Sequence, residues 1–310
     1  MAPCVPGLGD SPPSRPLPDS GTPRFSTMDQ GTFSELHVVE PIGPHTHTAI
    51  LLHARGSSGP ELAEELLDSK VPGHRTFLHK LGKGWRLVFP TATGIWCSDN
   101  DEELASWFDS SFFPCESVPL AVMAAEDIDD STKSLQNLLD DEAKKLGHRT
   151  GRIVLGGVNQ GCAIGLYAMI SWRKRLGAFV GACGWLPFSK QIDSLAAREV
   201  FWDDDFDVSE LDLEAAHFVT TEMPILGFPT HDSVRSALVA TPVYLGHGTD
   251  DAVVDIELGR TARDSLVGVG FNVAWVEYEG AALNGHWLEV PKQGEDMANF
   301  MLRAVPGTSG

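Results

Sequence analysis

Basic residues are scarce in this sequence. Lysine and arginine together number 23, against 43 aspartate and glutamate residues, and the formal net charge is -20 at pH 7. Nucleic-acid binding needs basic patches that neutralise phosphates, so this balance argues against a nucleic-acid partner. It argues equally against electrostatic docking to an anionic lipid surface.

Long apolar runs and paired cysteines are also missing. No run reaches the ~20 apolar residues that a transmembrane helix needs, so we expect no membrane span. The cysteines are odd in number and scattered without a C-x-x-C pair, which indicates neither a zinc site nor a disulfide framework. A reducing cytosol is the simplest compartment, and we expect a cytoplasmic protein. The cysteines are Cys4, Cys97, Cys115, Cys162 and Cys183.

Residues 1–30 differ in composition from the rest of the chain. They are rich in Pro, Ser and Gly and lack the apolar stretch of a signal peptide. Such a segment buries too little apolar surface to become ordered, so we predict a disordered tail over 1–30. Met28 is a candidate for a second translation start. The remaining residues, 31–305, are enough for one large domain with a substantial core.

Short apolar segments alternate with stretches of helical spacing through this domain. The alternation predicts an α/β fold whose mostly parallel sheet carries helices on both faces. Catalytic residues in such sheets lie at the carboxyl ends of strands, and Asn159, Asp251 and His286 all follow predicted strands. We predict strands at 48–52, "WRLVFP", 153–155, "AFVGACGW", "TPVYLGHG" and "NVAWVEYEG". Helices are predicted at "GPELAEELLDS", "DIDDSTKSLQNLLDDEAKKLG", 160 to about 172, roughly 255–268 and roughly 291–304.

Residues 189–240 do not follow this alternation. They are acidic, aromatic and weakly periodic, as in "FWDDDFDVSELDLEAAHFV". One interpretation is a surface insertion with a short helix. The other is a cap over the active site, because long structured insertions in compact domains often serve as lids.

The stretch "IVLGGVNQGCAIGLYAMI", residues 153–170, has the form of a nucleophile elbow without its nucleophile. An apolar β-branched run leads into a double glycine, and a helix-forming stretch follows. The elbow pattern G-x-S-x-G has serine at its centre, whereas residues 157–161 are GVNQG. An amide nitrogen is delocalised into its carbonyl group and is a very poor nucleophile. Asn159 therefore cannot replace serine in covalent catalysis.

Seven segments of the chain, taken in order, resemble the acyl-protein thioesterase and carboxylesterase (lysophospholipase-like) family of α/β-hydrolases. The resemblance covers roughly residues 45–303. It implies an α/β-hydrolase fold, no metal or organic cofactor, and acylated proteins, lysophospholipids or small esters as substrates. The segments are "ILLHARGSSG", "VFPTA", "SWFD", "LGGVNQGCAIGLYAM", "GWLPF", "TPVYLGHGTDDAVV" and "YEGAALNGHW".

The family arranges a serine, an aspartate and a histidine as a catalytic triad in that chain order. By resemblance Asn159 occupies the nucleophile position, Asp251 is the carboxylate and His286 is the base. Asp250 takes the place of Asp251 if that loop is shifted by one residue. In such a triad the imidazole accepts the proton of the nucleophile, and the carboxylate fixes the tautomer of the ring.

The resemblance also implies an oxyanion hole and a substrate channel. The backbone N–H groups of Gln160 and Arg55 would donate to the oxyanion. Arg55 lies in a loop where Ala54 replaces the usual family glycine. Three apolar residues are candidates for the wall of an acyl channel, although they fit the core equally well. His53 either lines the site or is structural. The channel candidates are Trp107, Trp185 and Leu186.

Asparagine at position 159 leaves several explanations open. The protein has lost hydrolysis and binds a ligand or partner, or this chain is a variant of an active serine enzyme. Alternatively, His286 activates water directly while Asn159 holds the substrate. Two weaker alternatives supply another nucleophile: the thiol of Cys162, or an aspartate formed by deamidation of Asn159. Cys162 lies about one helical turn beyond the elbow, and Gln160 instead of glycine follows the asparagine, which slows deamidation.

Overall fold

The computed structural model describes most of the predicted domain. The predicted tail over 1–30, Met28, Cys4 and Cys115 lie outside the described residues. The described residues are 33–68, 77–97, 101–110, 118–198, 207, 209, 213–225, 236–282, 285–288 and 292–307.

The strands of the described residues form one large sheet and one hairpin. They are β1 (Glu35–Val39), β2 (His47–Leu52), β3 (Trp85–Thr91), β4 (Gly94–Cys97), β5 (Glu102–Ala105), β6 (Ile153–Val158), β7 (Ala178–Ala182), β8 (Val243–Gly248) and β9 (Val273–Tyr278). The large sheet has the order β1-β3-β2-β6-β7-β8-β9. Within it β1 pairs antiparallel to β3, and the other neighbouring strands are parallel. The antiparallel hairpin pairs β4 with β5.

Helices connect these strands. They are α1 (Gly59–Asp68), α2 (Phe77–Leu81), α3 (Val118–Lys145), α4 (Gln160–Ser171), α5 (Ser189–Ala197), α6 (Leu213–His217), α7 (Met223–Ile225), α8 (Ile256–Gly268) and α9 (Lys292–Ala304). A 3₁₀ turn occupies Thr150–Arg152 and a π-helical turn occupies Phe218–Glu222. The predicted mostly parallel α/β sheet is confirmed. In the part of the chain that the structure describes, no helix is long and apolar enough to cross a membrane.

The core lies on both faces of the sheet, which explains the continuous apolar runs of its strands. In β2, Ile50 and Leu52 pack into the cluster formed with α3 and α4, whereas Ala49 and Leu51 pack into the cluster formed with α1, α2 and α9. Alternate side chains of a strand point to opposite faces, so both faces of this strand are covered. Helix α4 is buried along its whole length, which matches its predominantly apolar sequence.

The segment predicted as an insertion is partly helical and contributes to the core. Ile192 and Leu195 of α5 are buried, as are Phe218 and Met223 farther along. All four belong to the same apolar cluster as α3 and α4. The remaining residues of the segment, 199–206, 208, 210–212 and 226–235, lie outside the described residues, and a cap over the active site stays a prediction.

A buried ion cluster lies at the amino-terminal end of the central strands. The side chain of Glu142 in α3 is 0% exposed, and its carboxylate accepts hydrogen bonds from Arg86 Nε at 3.2 Å and Thr48 Oγ1 at 3.1 Å. Lys145 Nζ also contacts this carboxylate. Arg86 pairs in addition with Glu40. These bonds join α3 to the amino-terminal ends of β2 and β3. Asn159 and Asp251 lie at the opposite, carboxyl-terminal ends of the parallel strands.

Removing the buried carboxylate should destabilise the protein strongly. We expect Glu142→Ala to lower the free energy of unfolding by about 3–5 kcal/mol, because it leaves Arg86 largely buried without this partner. Urea denaturation followed by circular dichroism measures the loss. Asp141→Ala is the matched control, because it breaks the exposed Lys144–Asp141 pair and should cost less than about 0.5 kcal/mol. Equal losses in the two variants would contradict this account.

Three histidines near the start and end of β2 should make the free energy of unfolding depend on pH. Burial lowers the pKa values of His45, His47 and His53, because a charged ring loses its hydration. An unfolded histidine has a pKa of about 6.5. As the pH falls through that value, the unfolded chain binds protons that the folded chain does not, so the folded state loses stability.

The free energy of unfolding should therefore decrease as the pH falls from 7.5 toward 5.5. Urea denaturation at fixed ionic strength measures this slope. His47→Gln should make the slope shallower, because one of the groups with a lowered pKa is gone. A slope of the opposite sign in the parent chain would refute the assignment.

Candidate active site

Asn159 lies at a sharp turn between β6 and α4, as the elbow pattern predicts. Its backbone has φ 54° and ψ -120°, which is strained for a residue other than glycine. The flanking glycines have a steric role. A Cβ atom on Gly157 would lie 2.4 Å from the carbonyl carbon of Gly161, and one on Gly161 would lie 2.4 Å from the Leu52 oxygen. Both glycines are therefore required for α4 to turn back against β6 and β2.

Three side chains that are far apart in sequence form a hydrogen-bonded line. Nδ2 of Asn159 lies 3.0 Å from Nε2 of His286, and Nδ1 of His286 lies 2.8 Å from Oδ1 of Asp251. The carboxylate accepts, so Nδ1 carries the proton, and in the neutral ring Nε2 accepts from the amide of Asn159. The structure thus brings together the three residues assigned by resemblance. The His286 side chain is 12% exposed and the Asp251 side chain is 0% exposed, so solvent reaches the line at its central histidine and not at the carboxylate.

Asp251 is surrounded by hydrogen-bond donors. Besides His286, it contacts Nε2 of His247 at 3.3 Å and the backbone N–H groups of Val253 and Val254, each at 2.9 Å. Burial by itself would raise the pKa of this carboxyl, but the bonds from His247, His286 and the two amides outweigh it and hold the pKa far below its usual range. Asp251 is therefore ionised at neutral pH, and it can orient His286.

Asp250, the alternative carboxylate, lies outside this line. Its Oδ2 accepts a hydrogen bond from the backbone N–H of Gly280 at 3.0 Å, and the residue is exposed. The bond joins the loop after β8 to the loop after β9. Asp250 thus has a structural contact of its own, while Asp251 points to His286.

The two predicted oxyanion donors flank the elbow. Gln160 is the first residue of α4, so its N–H group has no acceptor within the helix. Arg55 follows β2 in a loop that is fixed by two backbone bonds, Gly56 N to Ala105 O at 2.8 Å and Ser57 N to Ala54 O at 3.1 Å. Ala54, where the resemblance implies a glycine, is buried in this loop. The role of both N–H groups toward an oxyanion stays a prediction.

The three channel candidates differ in burial. Trp107 and Leu186 lie in the core, at 0% and 3% exposure, whereas Trp185 is half-buried with its ring edge-on to Phe108. That these three side chains form the wall of an acyl channel stays a prediction.

Cys162 is buried against Gly181 and Gly184, and burial raises the pKa of its thiol. A protonated, enclosed thiol is unsuited to be a nucleophile, which disfavours that alternative.

Two contacts of Asp251 were not anticipated from the sequence. His247 lies in β8, fully buried, and its Nε2 also donates to the carbonyl oxygen of Val254 at 2.9 Å. The sequence signal for this contact is that His247 lies four residues before Asp251, at the end of a predicted strand. Cys183 follows β7 with φ 49°, and burial together with the nearby charge of Asp251 raises the pKa of its thiol to about 12. Nothing in the local sequence distinguishes it from an ordinary buried cysteine.

Comparison with known proteins agrees with the fold and identifies the family. The phospholipase/carboxylesterase family model matches residues 34–201, just over half of the 310 residues. The chain is 28% identical over 242 residues to acyl-protein thioesterase 1 of Yarrowia lipolytica, covering 76% of this chain and 84% of the relative. It is 27% identical over 281 residues to acyl-protein thioesterase 1 of Gibberella zeae, covering 90% of this chain and 99% of the relative.

A solved structure shares the architecture. The crystal structure of Zea mays acyl-protein thioesterase 2 superimposes with a TM-score of 0.61 at 24% identity, over 87% of this chain and 98% of the other. Such a likeness establishes the α/β-hydrolase fold. Together with the family match, it confirms the resemblance inferred from the seven segments. The chain belongs to the phospholipase/carboxylesterase family of α/β-hydrolases.

Proposed function

We propose that this chain is a cytoplasmic ester or thioester hydrolase scaffold that binds an acyl substrate at Asn159 and turns it over very slowly. The observation that carries the proposal is the hydrogen-bonded line from Asn159 through His286 to Asp251. The base and its carboxylate are assembled as a serine hydrolase requires, and the attacking oxygen alone is replaced by an amide. Acylated proteins are the proposed substrates, in keeping with the names of the thioesterase relatives, together with lysophospholipids and small esters.

The contact at Nε2 of His286 also bears on how any turnover occurs. Direct activation of water would require a water molecule at Nε2, where the Asn159 amide lies at 3.0 Å. The amide therefore competes with that water. This competition is a physical reason to expect slow hydrolysis, and it favours loss of activity over a changed mechanism.

The second candidate function is non-catalytic binding of an acyl or ester ligand, or of a partner, through the same site. It is favoured by the chemistry of Asn159, whose amide offers hydrogen-bond donors to a ligand carbonyl but no nucleophile. The same preorganised backbone donors that would stabilise an oxyanion can bind a carbonyl or carboxylate oxygen.

Hydrolysis of p-nitrophenyl esters by this chain and by Asn159→Ser separates the two functions. A large gain on restoring serine supports the hydrolase scaffold. An inactive serine variant that is folded and still binds an acyl ligand supports the binding protein, because the remaining machinery would then be incomplete.

A further inference from the structure

Trp107 is a core residue that forms hydrogen bonds with two residues of the candidate site, His53 and Gln160. Its side chain is fully buried, and its indole Nε1 donates to the carbonyl oxygen of His53 at 2.9 Å. Its backbone N–H donates to Oε1 of Gln160, also at 2.9 Å. One residue thus holds the loop after β2 and the first residue of α4 at once.

The ring of His53 continues this set of bonds in a single tautomer. Its Nε2 lies 3.0 Å from the backbone N–H of Ala92, which can only donate, so Nε2 is the acceptor. The proton is therefore on Nδ1, which donates to the carbonyl oxygen of Ala54 at 2.7 Å. Burial lowers the pKa of His53, in agreement with this neutral ring.

The carbonyl group of Ala54 and the N–H group of Arg55 belong to one planar peptide unit. A bond that fixes the oxygen of Ala54 therefore fixes the direction of the Arg55 N–H. On the other side, the Gln160 side chain accepts from the backbone of Trp107 and from Ser106 Oγ at 3.0 Å. Its Nε2 donates to the carbonyl oxygen of Phe108. Gln160, which carries the second N–H donor, is thereby fixed to the loop of residues 106–108 that contains Trp107.

We propose that the buried side chains of His53, Trp107 and Gln160, here called the oxyanion frame, set the spacing and direction of the N–H groups of Arg55 and Gln160. Trp107 is its central positioning residue. This inference rests on the proposed function, since it assigns those two N–H groups to an oxyanion. The steric fit agrees with it, because a Cβ on Gly161 would lie 2.6 Å from the very carbonyl oxygen of His53 that accepts from Trp107.

The test uses Trp107→Phe in the Asn159→Ser chain. Phenylalanine keeps an aromatic ring in the core but cannot donate to His53. We expect kcat for p-nitrophenyl esters to fall about tenfold while KM stays within about twofold, because the frame acts on the oxyanion and not on ground-state binding. Trp172→Phe is the matched control, because it removes an indole bond to Asp140 at 3.0 Å from a buried tryptophan at the other end of α4.

Two histidine variants keep the proposal testable if Trp107→Phe does not fold. Asparagine at position 53 places an amide near the former Nδ1 and can donate to Ala54, whereas glutamine reaches the former Nε2 and Ala92. His53→Asn should therefore retain more kcat than His53→Gln at similar melting temperatures. Equal kcat values in the two, or equal losses in Trp107→Phe and Trp172→Phe, would overturn the oxyanion frame.

If the serine chain itself shows no activity, the proposed function fails, and the frame is judged by a different measurement. Amide hydrogen exchange at Arg55 and Gln160 in the Asn159 chain should be faster in Trp107→Phe than in Trp172→Phe. Unchanged exchange at both amides in Trp107→Phe would reject the frame without reference to catalysis.

Discussion

Asn159→Ser should raise the turnover of p-nitrophenyl esters by about a thousandfold or more. Serine supplies the hydroxyl that the amide lacks, and His286 is already oriented by Asp251 to accept its proton. The serine side chain is shorter than that of asparagine, so its contact with Nε2 will be looser before substrate binds. Catalytic hydrogen bonds are often long in the free enzyme and tighten in the complex, so this does not prevent catalysis.

Asn159→Ala is the control for this gain. Alanine removes the amide without adding a hydroxyl, so its rate should stay near that of the parent chain and far below that of the serine variant. A comparable gain in the alanine variant would show that water activated by His286 performs the reaction once the amide is removed. Substantial turnover in the parent that disappears in His286→Ala would likewise favour water activation.

Asp251→Asn in the Asn159→Ser chain should lower kcat by about ten-thousandfold. The amide cannot hold the proton on Nδ1 of His286, so the ring adopts the wrong tautomer and its Nε2 no longer accepts from serine. The loss should not be restored by raising the pH, because the asparagine amide does not ionise and cannot replace the carboxylate charge. Steady-state kinetics from pH 6 to 9 measure both expectations.

Asp250→Asn is the matched control for this loss. The residue is adjacent and exposed, and an asparagine oxygen can still accept from the backbone of Gly280. We expect kcat within about threefold of the parent, since a conservative surface change away from the reacting atoms has little effect. If Asp250→Asn caused the larger loss, the register of the loop after β8 would be wrong by one residue.

The α/β architecture could be predicted from the sequence because its signals are local. Apolar β-branched runs at 48–52 and 153–155 became β2 and β6, and the leucine periodicity before Gly147 became the end of α3. The elbow was equally visible, because the glycines at 157 and 161 are required by close backbone contacts. In contrast, β1, at the edge of the large sheet, and the separate β4–β5 hairpin were not predicted, since these short elements carry no strong periodicity.

The sequence by itself determined which residue types stand at the strand ends, including Asn159 at the position where the elbow pattern has serine. The tertiary structure decided which of them meet: Asp251 rather than Asp250 faces His286, His247 supports that carboxylate, and Trp107 joins the two loops around the elbow. These bonds join residues on different strands and loops, most of them far apart along the chain. Their formation depends on the sheet order and on loop register to within one residue, whereas local sequence patterns report periodicity alone.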